Sequence, residues 1–384
     1  MKIVFAGGGT GGHFYPIIAI AEAVRDVVRE RHLIEPKMYF MAPKPFDPEA
    51  LFENEITFVA CPAGKMRRYV SFQNFTDLFI TAGGVISALI TLFRITPDVV
   101  ISKGGYTSVP ITIAANILGL PVIIHESDAK PGRANLLAAK HAARIAVAFD
   151  SAREYFPKKV QDRIARIGIP IRKEVAFIDP EGAYQELGLE RDIPTILIFG
   201  GSSGSAKINE VVLSALPDLI SFANVIHQTG KDLFVEVEST SKVVLGGSAN
   251  GSRYHVFPYL SALSIRRAAG AATIVISRAG ATAISEISLW RKPAILIPIP
   301  EAVSHDQRTN AYAYAHTGAA VVLEESNLTQ HVLASEARRI ATDPALVASM
   351  GAKGADFANP DAARMIAEEV LSIALSHEPE QSIS

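Results

Sequence analysis

The alternation of short, mostly apolar runs with helical stretches constrains this chain more than any other feature. Six runs in the first half, at residues 3–6, 38–41, 57–60, 99–102, 122–125 and 145–149, are built mostly from Val, Ile, Ala, Met and aromatic residues. Six more follow at 195–199, 224–228, 255–258, 273–277, 294–297 and 320–323. A strand with one wet face alternates apolar and polar residues. Runs without that alternation suit parallel strands covered on both faces. Strands alternating with helical stretches make βαβ units. The reading is α/β, with two Rossmann-like, doubly wound parallel-sheet domains.

The two halves echo each other. The first strand of each runs into a glycine loop, Gly7-Gly8-Gly9-Thr10-Gly11-Gly12 in one and Gly200-Gly201-Ser202-Ser203-Gly204 in the other. A later strand in each ends in a second loop, Ser102-Lys103-Gly104-Gly105 and Ser277-Arg278-Ala279-Gly280. The next apolar strand follows Pro121 or Pro293. Gly168 and Pro170 punctuate the chain after the sixth run and mark a boundary there. The first domain is expected over residues 1–169, joined by a C-terminal helix from 360–384, and the second over 170–359. Asn359 is expected to cap that helix, with Pro360 at its first position. The polar tail beyond Ser376 is expected to fray.

A chain of 384 residues fits two domains at about 100–200 residues each. Apolar residues make up 49% and charged residues 20%, which excludes disorder. Lys and Arg number 37 against 39 Asp and Glu, a net charge of −2 that argues against nucleic acid as the main partner. The single cysteine, Cys61, rules out an internal disulfide and a Cys-based zinc site. The N-terminal apolar run is too short for a signal peptide and reads as a first strand. Residues 78–93 carry no charge. That run is shorter than the roughly 20 residues a spanning helix wants, and Gly83-Gly84 interrupt it. A buried or surface-docking helix is expected.

A glycine loop between a parallel strand and a helix offers free backbone N–H groups and the positive end of the helix dipole. That combination suits phosphate. Four such loops in mirrored positions, with ligands expected at the carboxyl ends of the strands, point to a nucleotide-type ligand between facing domains. Gly7 to Gly12 contains G-x-G-x-x-G, but no lone acidic residue follows the second strand to hold an adenosine ribose. No G-x-x-x-x-G-K-[ST] occurs, so an ATPase reading has no support.

Several of these motifs come in one order: Gly9-Thr10-Gly11-Gly12-His13, Gly104-Gly105-Tyr106-Thr107-Ser108, His125-Glu126 with Pro131-Gly132 and Asn135, Phe199-Gly200-Gly201-Ser202, His227-Gln228-Thr229-Gly230-Lys231, Arg278-Ala279-Gly280 with Ser285-Glu286, and His305-Asp306-Gln307 with Asn310. From about residue 3 to residue 370 this set resembles the bacterial N-acetylglucosaminyltransferases that convert lipid I to lipid II in peptidoglycan synthesis. The resemblance implies a GT-B fold, two domains facing across a cleft. It implies UDP-N-acetylglucosamine on the second domain and the undecaprenyl-linked acceptor, lipid I, on the first. It implies an inverting transfer with no metal and no cofactor.

The resemblance also implies roles. His13 is general base for the acceptor hydroxyl, or a group that orients it or binds diphosphate. Glu126 is the competing base, or a structural carboxylate. Thr10, Gly11 and Gly12 offer donors to a pyrophosphate, on the acceptor lipid or at the bond being broken. Gly104, Gly105, Tyr106 and Ser108 belong to the acceptor side. Ser202 and Arg172 match donor-site residues. Ala281, Thr282, Ala283 and Ser285 line the start of a donor helix. Glu286 takes the ribose hydroxyls as a two-pronged acceptor, against the alternative of a first-turn carboxylate placed for the dipole. Gln307 matches a glutamine on the sugar hydroxyls, with Asn310 a turn on. Leu260 aligns with the residue whose backbone reads uracil. Asp128 departs from the pattern, which commonly has Asn there. An amide donates and accepts where a carboxylate only accepts, so the departure bears on sugar binding.

The lipid acceptor implies a bilayer. Lys65, Arg67 and Arg68 stand beside Tyr69, Phe72, Phe75 and Phe79, a combination suited to anionic headgroups. A peripheral position on the cytoplasmic face of the plasma membrane is the expectation. Two alternatives share the two-domain plan: a transferase of a UDP-sugar to another lipid acceptor, and a UDP-N-acetylglucosamine 2-epimerase, which needs no acceptor.

Overall fold

The computed structural model describes residues 1–65, 72–201, 203–301 and 305–376. The chain forms two compact units. One holds Met1–Arg172 with the segment from Pro360, the other Lys173–Asn359.

The first unit is built on seven strands: β1 (Lys2–Ala6), β2 (Lys37–Ala42), β3 (Ile56–Ala60), β4 (Val99–Ser102), β5 (Val122–Glu126), β6 (Arg144–Val147) and β7 (Ile164–Arg166). Their order is β3-β2-β1-β4-β5-β6-β7, and every pairing is parallel. In register, Ile3 lies between Met38 of β2 and Val99 of β4. β4 and β5 are buried along their whole length, the physical meaning of apolar runs without alternation. β7 was not expected from sequence. It is three residues long at the sheet edge, and only Ile164 of the three is buried, so it leaves no apolar run to read.

Helix Gly11–Glu30 covers one face of this sheet with Phe14, Ile17, Ile18, Ile20, Val24 and Val27. The last helix, Ala362–Leu375, packs on it through Ile366, Ala367, Val370 and Leu371. Arg364 ties the two together, donating from both terminal nitrogens to Glu30 at 2.9 and 2.7 Å. This helix begins at Ala362 with Asp361 at the cap position, two residues past the expected start, because Pro360 and Asp361 form a turn whose Asp361 carbonyl receives the Met365 N–H.

Helix Phe72–Ile95 is two-sided in an unusual sense. Gly84, Ala88 and Leu92 form a buried stripe at four-residue spacing. At Gly84 a Cβ would lie within 3.0 Å of the Pro62 carbonyl carbon, so glycine permits the close approach. The opposite stripe is apolar and exposed: Phe79 63%, Ile86 60%, Ile90 49% and Phe93 70%. Only 17% of its most apolar window is buried, and the helix is long and apolar enough to cross a membrane by length and composition. It is therefore not the buried helix that one reading allowed.

The second unit repeats the plan with β8 (Thr195–Phe199), β9 (Asn224–Gln228), β10 (Tyr254–Phe257), β11 (Ile274–Ser277), β12 (Ala294–Leu296) and β13 (Ala320–Val322). The order is β10-β9-β8-β11-β12-β13, again parallel throughout. In each unit the strand order reverses beside the first strand, between β1 and β4 and between β8 and β11. Those are the switch points where open α/β sheets bind ligands. The four glycine loops leave the carboxyl ends of these four strands.

Candidate active site

In the first unit β1 stops at Ala6, and Gly7, Gly8 and Gly9 all have positive φ. At Gly7 a Cβ would lie 3.0 Å from the Lys103 Cβ, so glycine lets the β1 and β4 loops touch. Thr10 is extended and stands at the N-cap of helix Gly11–Glu30. Its carbonyl accepts the N–H groups of His13 and Phe14, each at 3.1 Å. The N–H groups of Gly11 and Gly12 precede the intrahelical ladder, and no acidic residue occupies the first turn. The positive helix end is thus left for an anion.

The Thr10 hydroxyl does not cap the helix. It lies 2.8 Å from His13 Nδ1. Nε2, at the other side of the ring, faces Gly105, where a Cβ would sit 3.9 Å away. The ring is half-buried. Desolvation, with the Lys103 ammonium adding to it, pushes its pKa down to about 4. His13 is therefore neutral at pH 7, with a lone pair available on one nitrogen.

Glu126 ends β5 and is buried. Its Oε1 accepts the Asp128 N–H at 2.9 Å, and its Oε2 accepts the Gly132 N–H at 3.0 Å and the Asn135 side-chain N–H at 2.9 Å. Burial and the neighbouring Asp128 raise its pKa, against those hydrogen bonds. Three donors converge on this carboxylate, which therefore organises the loop after β5. Asp128 is half-buried in that loop. Asn135 also reaches the His125 carbonyl at 3.3 Å, while its Oδ1 has no hydrogen-bond partner among the described residues and lies beside Gly104.

After β4, Gly104 and Gly105 have φ of +80° and +77°. The Ser108 hydroxyl donates to the Gly105 carbonyl at 2.9 Å, so this side chain closes the loop on itself. Tyr106 is half-buried with its ring against Gly9. Arg172 lies in the first unit, its guanidinium 4.2 Å above the Tyr15 ring, and Tyr15 in turn donates to Asp47 at 3.3 Å.

In the second unit, Ser205 caps helix Ala206–Ile220 through the Ile208 N–H. Ser202 lies outside the described residues. Gln228, at the end of β9, donates to the Gly201 carbonyl at 3.0 Å and accepts the Leu260 N–H at 3.0 Å. The Leu260 N–H is thus already engaged. Helix Ala281–Leu289 follows β11 with Gly280 at its N-cap and no acidic residue in its first turn. Ala281 is buried, while Thr282 and Ala283 are half-buried. Glu286 is half-buried in the second turn, one turn beyond where the dipole alternative placed it. Ser285 and Asn310 are both buried, and Asn310 reaches the Ala279 carbonyl at 3.5 Å. The Gln307 side-chain oxygen accepts the Ile299 N–H at 3.2 Å, which turns its amide nitrogen outward from that bond.

Sequence reasoning quoted Arg278 only as part of a loop. Its guanidinium pairs with Glu325 at 2.6 Å and donates to the Ile297 and Pro298 carbonyls and to the Ser205 hydroxyl. One half-buried arginine thus joins the β11 loop to the start of the helix after β8. His227 is likewise structural. It sits between the Tyr254 hydroxyl at 2.9 Å and Asn209 Oδ1 at 3.1 Å, and burial pushes its pKa down to about 3.

Residues 3–147 match the glycosyltransferase family 28 N-terminal domain, and residues 195–366 match the glycosyltransferase family 28 C-terminal domain. The chain is 36% identical over 335 residues to the UDP-N-acetylglucosamine–N-acetylmuramyl-(pentapeptide) pyrophosphoryl-undecaprenol N-acetylglucosamine transferase of Halothermothrix orenii, covering 87% of this chain and 88% of that one. The enzyme of the same name from Symbiobacterium thermophilum is 34% identical, with 97% and 96% covered. Among solved structures, MurG of Acinetobacter baumannii superposes with a TM-score of 0.71 at 24% identity, covering 97% of this chain and 99% of that one. The UDP-N-acetylglucosamine 2-epimerase of Neisseria meningitidis superposes at 0.66 with 15% identity, covering 97% and 100%. The structural likenesses show the GT-B fold, which transferases and epimerases share. The sequence relatives separate the two.

Proposed function

We infer residue roles from one premise: this chain belongs to glycosyltransferase family 28. It transfers N-acetylglucosamine from UDP-N-acetylglucosamine to lipid I, giving lipid II for peptidoglycan. The acceptor hydroxyl attacks the anomeric carbon, the bond to the UDP oxygen breaks, and the hydroxyl proton goes to a base. The pairing of a lone-pair-bearing imidazole with an unneutralised helix start supports the assignment of roles best. We propose His13 as that base. For Nε2 to accept a proton, Nδ1 must carry one, and the Thr10 hydroxyl would then accept from it and fix the tautomer. Glu126, with three donors on it, is better suited to hold the β5 loop.

Gly11 and Gly12 would bind a pyrophosphate through backbone N–H groups. Gly104, Gly105 and Tyr106 would face the acceptor. In the second unit the helix start at Ala281, Thr282 and Ala283 would bind the UDP diphosphate and stabilise its charge as it leaves. Glu286 would take the ribose hydroxyls, and Gln307 would offer its amide N–H to the sugar. With its N–H on Gln228, Leu260 would read uracil through its carbonyl. Asn310 and Ser108 support these loops through the Ala279 and Gly105 carbonyls, and Ser285 is buried within the donor helix.

The assay that tests this follows radiolabelled UDP-N-acetylglucosamine in the presence of lipid I. A labelled lipid product and stoichiometric UDP are expected. Epimerisation of the donor with no acceptor present would overturn it.

We further propose that helix Phe72–Ile95 docks on the cytoplasmic face of the plasma membrane. Residues 66–71, which carry most of the basic cluster, lie outside the described residues, as do the side chains of Phe72 and Phe75. The exposed apolar stripe supports the reading by itself. Seven-, four- and three-residue steps put Phe79, Ile86, Ile90 and Phe93 on one face, and an apolar face in water is unfavourable. Replacing Phe79, Ile86 and Phe93 with Ser is expected to lower binding to anionic vesicles about tenfold or more, at roughly 1.5–3 kcal/mol per buried side chain. Transfer to a short-chain, soluble acceptor should stay within about twofold. Unchanged vesicle binding would remove this helix from the interface.

A further inference from the structure

Lys103 has no role in the chemistry above, yet it is one of the most completely buried side chains in the first unit, at 1% exposure. Its backbone N–H donates to the Ala6 carbonyl at 2.8 Å, and its Cβ lies against Gly7. Its Nζ reaches across to the loop after β5, 2.5 Å from His125 Nδ1 and 2.5 Å from the Ser127 hydroxyl. The His125 tautomer follows from the other side of its ring. Nε2 lies 2.7 Å from the Gly168 carbonyl, which only accepts, so Nε2 carries the proton and Nδ1 accepts from Lys103. A chain of bonds thus runs from the β4 loop through Lys103 and His125 to Gly168.

Burying an ammonium is costly unless charge and hydrogen bonds compensate. Desolvation lowers the Lys103 proton affinity, and the carboxylates of Glu126 and Asp128 oppose that. The same ammonium lowers the proton affinity of His13 and of His125. The charged and titratable groups around Nζ are therefore His13 from helix Gly11–Glu30 and His125, Glu126 and Asp128 from the end of β5 and its loop. Asp128 is the position at which the resemblance leads one to expect an amide and this chain carries a carboxylate, and its charge favours the protonated form of Lys103.

We propose that Lys103 is a positioning residue for the transfer: its buried ammonium clamps the loop after β5 through His125 and Ser127 and balances Glu126 and Asp128, so that Lys103 and Asp128 act as a matched pair. The inference rests on the reading of His13 as the base. Without Lys103, buried Glu126 and half-buried Asp128 lose the ammonium that favours their charge, the loop loses two hydrogen bonds, and His13 takes up a proton more readily.

The test uses the full chain and four proteins: wild type, Lys103→Met, Asp128→Asn and the double variant. Methionine keeps an unbranched stem and removes the charge. Lys103→Met should lower kcat at pH 7 about tenfold or more and lower the thermal midpoint. Removing one negative charge with Asp128→Asn in the same chain returns the cluster to its original net charge and should recover most of both, a coupling of about tenfold. The acid limb of kcat/KM should move up by about one pH unit in Lys103→Met, which loss of loop order alone would not do. A double variant no better than the product of the two single effects, in both midpoint and kcat, would overturn the pairing. An unmoved acid limb would overturn the link to His13. The midpoint measurement needs no turnover, so its failure is distinguishable from failure of the transfer reading itself.

Discussion

His13→Ala is expected to lower kcat by about 10²–10⁴-fold, the usual contribution of a positioned base, with the donor KM changed little. The expectation rests on geometry before titration. Nδ1 is held 2.8 Å from the Thr10 hydroxyl, and Nε2 faces the glycine at 105, which leaves room before the ring. Thr10→Val removes the hydroxyl that selects the tautomer and should cost part of the same factor without moving donor affinity. A His13→Ala enzyme with near-normal turnover would refute the base role, whatever its effect on acceptor binding.

The pH dependence sharpens this. In the free protein the His13 pKa is pushed down to about 4 by desolvation and by Lys103. The base works when neutral, so the acid limb of kcat/KM that belongs to His13, which reports the free enzyme, should fall only below about pH 5. A bound pyrophosphate brings negative charge to the helix start beside the ring, which favours the imidazolium. The acid limb of kcat, which reports the bound state, should therefore lie at higher pH than that of kcat/KM. Coincident limbs would mean that no diphosphate charge reaches His13.

The fold was largely legible because burial on both faces writes itself into every position of a strand. Twelve strands were readable as apolar runs, and the thirteenth, Ile164–Arg166, was not, since an edge strand with two exposed residues has no such signature. The glycine loops were legible for a related reason: a backbone with φ near +80° at Gly104 and Gly105 demands glycine. Long-range electrostatics was not legible. Lys103 reads as a polar residue ending a strand, and only the parallel pairing of β4 with β5 brings it against His125 and Ser127, more than twenty positions away. Arg278 hides in the same way, because its partners Ser205, Ile297 and Glu325 come from three other segments. For Glu126 the sequence left base and structural carboxylate equally open, and the three donors that the fold turns toward it support the structural reading.

Glu286→Ala should raise the donor KM about 10–100-fold while kcat changes by less than about threefold. Hydrogen bonds to a charged acceptor contribute roughly 1.5–3 kcal/mol each, and truncation forfeits those the ribose makes. The position of Glu286 explains the split. It lies in the second turn of helix Ala281–Leu289, past a first turn of small residues at which a diphosphate can approach. The ribose is attached to that diphosphate and takes no part in bond breaking, so its contacts are equally strong in ground and transition states and appear in KM. The dissociation constant of UDP alone should rise by the same factor, since UDP carries the same ribose. A UDP analogue lacking the 2′-hydroxyl should bind wild type more weakly than UDP but bind Glu286→Ala about as well as UDP does, because the group the hydroxyl meets is already gone. If the analogue still loses affinity against Glu286→Ala, the ribose is held by another residue. If kcat falls while the UDP affinity is unchanged, Glu286 acts on the leaving diphosphate or on the fold of the helix.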